Sequence, residues 1–223
     1  LKDGKLRTLS GIGGGLLIGT VLVVVIPEGF RAIAEAHALD IGDEHGGEWQ
    51  PGFALVLGFV CMLLLDRVQA QPLRAVTGLM LHCAADGLAL GSAALSGDAR
   101  LNLLVTLSML AHKAPMAAGL ATYLQGAGLA WRAAQRPLLL FSATAPAAAV
   151  LAYLLLGSVP ALTSPGAVAL VLLFSGGTFL HAATSHILPD VLAGAAPGVR
   201  GALPLVLGAV APLALQALHP HGH

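Results

Sequence analysis

The sequence predicts an all-α, multi-pass membrane protein built as a bundle of spanning helices. Hydrophobic residues make up 57% of its 223 residues, and the mean hydropathy is +0.84. Charged residues make up 10%, whereas an ordinary soluble domain carries about 25%. Apolar stretches long enough for a helix to cross the hydrocarbon core recur along the chain. The composition therefore places the chain in a lipid bilayer, and a formal net charge of zero argues against nucleic-acid binding.

Seven apolar segments approach or exceed the roughly 20 residues that a transmembrane helix needs. The links between them are short, so we expect a single transmembrane domain over residues 1–223. We also expect an acidic and histidine-containing loop at 31–50, and a His-rich tail at 219–223. The expected spans are 11–30, 52–66, 73–96, 101–125, 137–158, 165–190 and 200–218.

Lysine and arginine residues in the short links predict the orientation, because cytoplasmic loops carry an excess of them. If the spans alternate in direction, eight basic residues fall on one side, whereas the other side has only Arg31 and Arg100. The first side is therefore expected to be cytoplasmic, and the loop 31–50 is expected to lie outside. The eight residues are Lys2, Lys5, Arg7, Arg67, Arg74, Arg132, Arg136 and Arg200.

An internal repeat relates the first two predicted spans to the last two. Gly14-Gly15 is followed after eleven residues by Pro27-Glu28, and Gly176-Gly177 is followed after eleven residues by Pro189-Asp190. The next span in each case contains the letters LVLG. In the predicted topology the paired spans cross the membrane in opposite directions. Such inverted repeats are typical of secondary transporters, whose substrate site lies near the midplane.

The third and fourth predicted spans carry the residues that we expect to bind a cation. His82 and Asp86 are one helical turn apart on one face of the third span, and His112 and Met116 repeat that spacing on the fourth. Ionisable groups at membrane depth are costly and indicate a functional site. Imidazole nitrogen and carboxylate oxygen are typical ligands of zinc and other first-row divalent metals, and a thioether adds a soft donor.

Two neighbours of these residues have alternative explanations. Lys113 has three interpretations: a structural ion-pair partner of Asp86, a charge that discourages a second metal ion, or a side chain that turns away and pairs with Asp86 when the site is empty. Cys83 follows His82 but points about 100° around the helix, so it is a second-rank ligand candidate. Met116 has an alternative too, since a methionine at such a position is more often a core side chain that fills a gap than a ligand.

Further polar residues suggest a route through the membrane. Glu28 lies at the outer end of the first span, and His181, His186 and Asp190 lie toward the cytoplasmic end of the sixth. A series from Glu28 through the central residues to His181 and His186 is one interpretation. Hydrated residues at the ends of spans are the alternative for Glu28 and Asp190. The loop 31–50 and the tail 219–223 are either weak collectors of divalent cations or simply solvated segments.

Four motifs in order resemble those of the ZIP metal transporters, solute carrier family 39. They are VIPEG in the first span, HCAADG in the third, HKAP in the fourth and GTFLHAATSHILPD in the sixth. The combination is most similar to the subgroup typified by the ninth human member. The resemblance runs from about Gly11 to the end of the chain.

The resemblance implies eight spans in a three-two-three arrangement, of which seven are visible here and the first is absent. It implies movement of zinc, and in some members of iron, manganese or cadmium, toward the cytoplasm. His82, Asp86 and His112 then form one metal site, with Met116 where the family usually has a Glu. His186 matches a residue of the inward pathway. The resemblance also implies that the chain can pair as a homodimer.

Two other functional classes compete with transport. A seven-span intramembrane zinc hydrolase of the ceramidase type would also use His and Asp residues to hold zinc and activate water. A metal-sensing receptor is the third candidate. We favour a transporter that is not an enzyme, because a hydrolase has no reason for an inverted repeat, and the receptor stays open on sequence grounds. The small-residue composition and short loops suggest a prokaryotic inner or plasma membrane, with a eukaryotic Golgi or plasma membrane as the alternative.

Overall fold

A computed structural model describes residues 2–39, 49–68 and 74–218, and they form helices joined by short turns. Within these ranges there is no β-strand. Among the described residues, six helical segments are long and apolar enough to cross a membrane, and a shorter apolar helix occupies Val199–Ala214. The predicted all-α membrane bundle is therefore confirmed.

The helices are numbered in chain order. They are α1 (Lys2–Thr20), α2 (Ile26–Leu39), α3 (Trp49–Val68), α4 (Arg74–Leu95), α5 (Ala99–Gly126), α6 (Trp131–Leu156), α7 (Pro165–Ala182), α8 (Leu188–Gly194) and α9 (Val199–Leu218). Two short π-helical segments, Val21–Val25 and Ala183–Ile187, join α1 to α2 and α7 to α8. The first and sixth spans are therefore each one continuous helical rod with a widened turn inside.

Several helices extend beyond the predicted spans. Helical structure begins at Lys2 and continues to Leu39, so the first part of the predicted loop 31–50 is helical. Lys, Leu, Arg and Ala favour helix, and they extend it beyond the apolar core of the span. The fifth span begins at Trp131 instead of 137 for the same reason. The segment 40–48 and the tail 219–223 lie outside the described residues.

The packing of the outer helices repeats as the sequence repeat predicts. A Cβ atom on Gly15 of α1 would collide with the carbonyl oxygen of Leu205 on α9. A Cβ atom on Gly177 of α7 would collide in the same way with the carbonyl oxygen of Leu55 on α3. Both carbonyls belong to the first residue of an LVLG sequence. Small residues allow this close backbone approach in lipid, and the two helix pairs use it at equivalent positions.

The two π-helical segments also occupy equivalent positions in the repeat. Each begins six residues after the second glycine of its Gly-Gly pair and ends two residues before the proline. The two rods run in opposite directions, since Gly14 lies beside Val191 and Gly29 lies beside Leu173. π-Helical turns are rare and occur frequently at functional sites. The inverted relationship predicted from the sequence is therefore present in the structure.

Helices α4 and α7 form the interior of the bundle, and α6 covers α4 from outside. In the most hydrophobic part of each span, 61% of the residues are buried for the α4 span and 67% for the span that contains α7, against 17% for α6. Gly87 on α4 packs against the backbone of α6 at Ala145. α5 lies beside both α1 and α4, with Gly119 against Leu17 of α1. Polar side chains on α4, α5 and α7 thus face one another in the interior.

Candidate metal-binding site

His82, Asp86 and His112 meet in the interior of the bundle, and we call these three residues the central cluster. His82 and Asp86 lie one turn apart on α4, and His112 reaches them from α5. Their exposed fractions are 0%, 1% and 2%. The Nε2 atom of His112 lies 3.1 Å from Oδ2 of Asp86, and Nε2 of His82 lies 3.4 Å from the same oxygen. The structure therefore brings together the three residues that the sequence predicted to share one site.

The separations in the central cluster suit a small divalent cation. Zinc bonds of about 2.0–2.2 Å in a tetrahedral shell place the donor atoms roughly 3.3–3.5 Å apart. The two measured separations lie close to this range, and one donor atom from each residue lies within 4.8 Å of the others. Nε2 of His82 is fully buried and has no hydrogen-bond partner among the described residues. A buried nitrogen of this kind is costly unless it has a ligand to bind.

Ser175 of α7 holds the central cluster in place, a role that was not predicted from the sequence. Its hydroxyl lies 2.6 Å from Nδ1 of His82 and donates to Oδ1 of Asp86, also at 2.6 Å. The carbonyl oxygen of Ser175 lies 3.0 Å from the same Nδ1 atom. A carbonyl only accepts, so Nδ1 carries the proton and Nε2 presents its lone pair to the site. Ser175 directly precedes Gly176-Gly177, which is the one signal that could have drawn attention to it.

Phe179 fixes the plane of the His82 ring. The two rings are stacked, with centroids 4.6 Å apart and an interplanar angle of 25°. Phe179 is fully buried, and it lies one helical turn after Ser175 on α7. Because Ser175 and Phe179 both belong to α7, this helix orients the imidazole of His82, which α4 carries. Contacts from residues that do not bind the metal themselves determine how well a metal-binding side chain is positioned.

Lys113 forms an ion pair with the central cluster. Its Nζ atom lies 2.6 Å from Oδ2 of Asp86 and 3.2 Å from Sγ of Cys83. The side chain of Lys113 is 24% exposed, whereas that of Asp86 is 1% exposed. The ion pair predicted as an alternative is therefore present beside the cluster, and Cys83 interacts with the lysine.

A second group of potential ligands lies between α3 and the end of α7, together with the π-helical segment that follows it. Nε2 of His186 lies 2.7 Å from Oδ2 of Asp66, and Nδ1 of His181 lies 3.5 Å from that oxygen. We call Asp66, His181 and His186 the second cluster; one donor atom from each lies within 4.8 Å of the others. His186 is therefore separate from the central cluster. Asp66 was missed because it ends an apolar span beside Arg67 and resembles a hydrated end residue.

The remaining predicted residues lie in other environments. Met116 is fully buried in the main core cluster, which also includes Cys83 and Phe179, and its role as a ligand stays a prediction. Glu28 lies 3.4 Å from Arg31 at the opposite end of the bundle from the second cluster. Asp190 of α8 accepts a hydrogen bond of 2.6 Å from the Tyr123 hydroxyl of α5. Glu28 and Asp190 therefore each have a partner outside the two clusters.

Comparison with known proteins agrees with the geometry. The family profile described as "ZIP Zinc transporter" matches residues 69–215, which include the central cluster and His181 and His186. The protein "Zinc transporter ZIP9-A" of Xenopus laevis is 37% identical over 99% of this chain and 90% of that protein. "Zinc transporter ZIP9" of Micropogonias undulatus is 36% identical with the same coverage. "Zinc transporter ZIP9" of Macaca fascicularis is 41% identical over 65% of this chain and 67% of that protein.

Proposed function

Since this chain belongs to the ZIP zinc transporter family, we propose that it carries zinc across a membrane through the central cluster. His82, Asp86 and His112 are the proposed ligands. The observation that supports this proposal most directly is the convergence of two imidazole nitrogens on one carboxylate oxygen, buried at mid-helix. Zinc is the proposed substrate, and iron, manganese and cadmium are further candidates because the same donors accept them.

The donor set suits a site that must release its ion. Two neutral imidazoles and one carboxylate supply three ligands and a single negative charge. A structural zinc site closes its shell with four protein ligands, whereas a shell of three leaves a position for water or a passing donor. We assign Met116 as the donor that completes the shell, since it lies one turn after His112 on α5. A thioether is a weak donor for zinc, so a shell that it completes holds the ion loosely enough for release.

The second cluster is proposed as the next binding site on the transport pathway. His181 and His186 lie after the centre of the sixth span, and Asp66 lies at the end of the second, close to the basic link at Arg67. The positive-inside rule makes that end cytoplasmic. The proposed direction is therefore from the end with Glu28, through the central cluster, to the second cluster and the cytoplasm. Asp190 lies at the same end as the second cluster.

Transport is favoured over hydrolysis by the family relationship, which gives no support to a ceramidase-like enzyme. A symmetric pair of rods with π-helical turns suits a transporter that opens alternately to two sides. The relatives named above are vertebrate proteins and give no support to a prokaryotic membrane. A eukaryotic Golgi or plasma membrane is therefore proposed as the location. A homodimer remains part of the proposal from the resemblance alone.

Zinc uptake into vesicles tests the proposed function. The purified chain is reconstituted in lipid vesicles that contain a zinc indicator, and uptake is compared for the wild type, His82→Ala and Ser142→Ala. Ser142 is an exposed α6 residue outside both clusters. We expect the first variant to lose uptake and the second to retain it. Equal uptake by all three would reject the central cluster, and release of fatty acid from a lipid amide would support the hydrolase.

A further inference from the structure

The ammonium group of Lys113 forms an ion pair with the carboxylate oxygen that the proposed zinc ion would also bind. Oδ2 of Asp86 lies 2.6 Å from Nζ of Lys113, 3.1 Å from Nε2 of His112 and 3.4 Å from Nε2 of His82. A cation bound between the two imidazoles would therefore face this same oxygen. The lysine contact is the shortest of the three, and it places a positive charge at the edge of the ligand set.

The other oxygen of Asp86, Oδ1, is not free to bind the ion in place of Oδ2. Oδ1 accepts the 2.6 Å hydrogen bond from the Ser175 hydroxyl, and Ser175 is itself fully buried and bound to His82. Turning the carboxylate to present Oδ1 to the ion would break that bond inside the bundle. Unpaired polar groups in the interior are costly. The ion and the ammonium group thus depend on the same carboxylate oxygen.

Other side chains near Lys113 can receive its ammonium group when it leaves Asp86. Its side chain is 24% exposed, so it enters the site from a partly open edge, whereas the central ligands are enclosed. Sγ of Cys83 lies 3.2 Å from Nζ, and the Phe141 ring of α6 has its centroid at 5.9 Å. A thiol acceptor and an aromatic face can both hold an ammonium group. The lysine therefore has a second position within reach of its flexible stem.

We propose that Lys113 is a tethered competitor of the transported cation. The lysine pairs with Asp86 before the cation arrives, and the cation displaces the lysine when it binds. This inference rests on the proposed transport function. Asp86 and Lys113 together are neutral, so a bound divalent ion leaves a net charge of +2 in the site instead of +1. The additional charge weakens retention of the ion, excludes a second cation and favours release. Lys113 thus lowers the affinity for the ion and raises the rate at which the ion is released.

Removing the charge of Lys113 tests the proposal. Zinc affinity of the purified chain is measured by calorimetry, and uptake is measured in vesicles. We expect Lys113→Met to bind zinc at least about tenfold more tightly, because a like charge within a few ångströms is removed from a partly desolvated site. The maximal uptake rate is expected to fall, because release becomes slower. Lys113→Arg keeps the charge and should bind zinc with nearly wild-type affinity.

Two controls separate this role from a structural one. Lys113→Gln is neutral but can still donate to Asp86, so it reports the charge effect even where Lys113→Met is poorly folded. Lys5→Met removes an exposed lysine of α1 and should leave affinity and uptake unchanged. Unchanged or weaker zinc binding by both neutral variants would overturn the proposal and leave Lys113 as an ordinary ion-pair partner.

The wild type and His82→Ala distinguish this inference from the proposed function. Suppose that the wild type transports zinc and that His82→Ala does not. If the neutral Lys113 variants then bind zinc with wild-type affinity, only the tethered-competitor proposal is rejected. If the wild type transports nothing, the transport proposal fails. Calorimetry then still decides whether Lys113 opposes zinc binding.

Discussion

The hydroxyl of Ser175 on α7 donates a 2.6 Å hydrogen bond to Oδ1 of Asp86 on α4, in a fully buried position. The same hydroxyl contacts Nδ1 of His82, so one small side chain connects two of the three proposed ligands. Such a bridge couples the position of the sixth span to the geometry of the central cluster. Movement of α7 against α4 would change the tautomer preference and the direction of both ligands together.

Ser175→Ala is expected to weaken zinc binding by about 10–100-fold, the range typical for loss of an outer contact to a metal ligand. The substitution removes the hydrogen bond to Asp86 and one of the contacts that keep the proton on Nδ1 of His82. Calorimetry with zinc measures the affinity. The central ligands remain in the chain, so a smaller effect than that of His82→Ala is expected.

Ser142→Ala serves as the matched control for this change. Ser142 lies on α6, and its hydroxyl bonds only to the carbonyl of Leu138 in the preceding turn among the described residues. Its removal should not alter zinc affinity. Wild-type affinity in Ser175→Ala would show that the backbone carbonyl of Ser175 and the Phe179 ring orient His82 without the hydroxyl.

Asp66→Asn is expected to lower the maximal rate of zinc uptake several-fold with little effect on the half-saturating zinc concentration. Asp66 supplies the only carboxylate of the second cluster, where its Oδ2 atom faces both His181 and His186. An amide is neutral and a weaker ligand, so the station after the central cluster would hold the ion less well. Initial rates of uptake across a range of zinc concentrations separate the two parameters.

Asp98→Asn provides the comparison for Asp66→Asn. Asp98 caps the start of α5 and lies outside both clusters. Asn is also a good capping residue, so uptake should stay close to that of the wild type. A large change in half-saturating concentration for Asp66→Asn would instead mean that the second cluster takes part in the first binding event.

The sequence alone predicted the features that depend on spacing along one helix. His82 and Asp86 are four residues apart, so any α-helix places them on one face. The Gly-Gly and Pro-acid pairs predicted equivalent rods because the fixed rise of a helix converts equal spacing into equal depth. His112 could be assigned to the same level because short links make neighbouring spans antiparallel.

Contacts between helices that are distant in sequence could not be predicted in this way. Ser175 meets His82 only through the packing of α7 on α4, and a serine in an apolar span carries no signal of its partner. Asp66 joins His181 and His186 through the packing of α3 on α7, which depends on the close approach at Gly58 and Gly177. Periodicity reports which face of a helix is polar but does not report which other helix covers it.

Gly15→Ala is expected to destabilise the folded chain by about 1–3 kcal/mol, the usual cost of adding a methyl group to a filled interface. A Cβ atom there would collide with the carbonyl oxygen of Leu205, and backbone atoms cannot turn aside as a side chain can. Gly4→Ala on the same helix meets nothing within 4 Å and is the matched control. Thermal denaturation in detergent, followed by loss of monodisperse protein, should show a lower midpoint for the first variant alone.

Met116→Leu tests whether the thioether reaches the transported ion. Leucine preserves the size and apolar character of this fully buried side chain, so folding should be little affected. Thioether sulfur is a soft donor, and cadmium is softer than zinc. We therefore expect the variant to lose several-fold more affinity for cadmium than for zinc, measured by competition of each metal for one site. An equal ratio of the two affinities in wild type and variant would place Met116 in the core and leave His82, Asp86 and His112 as the complete protein ligand set.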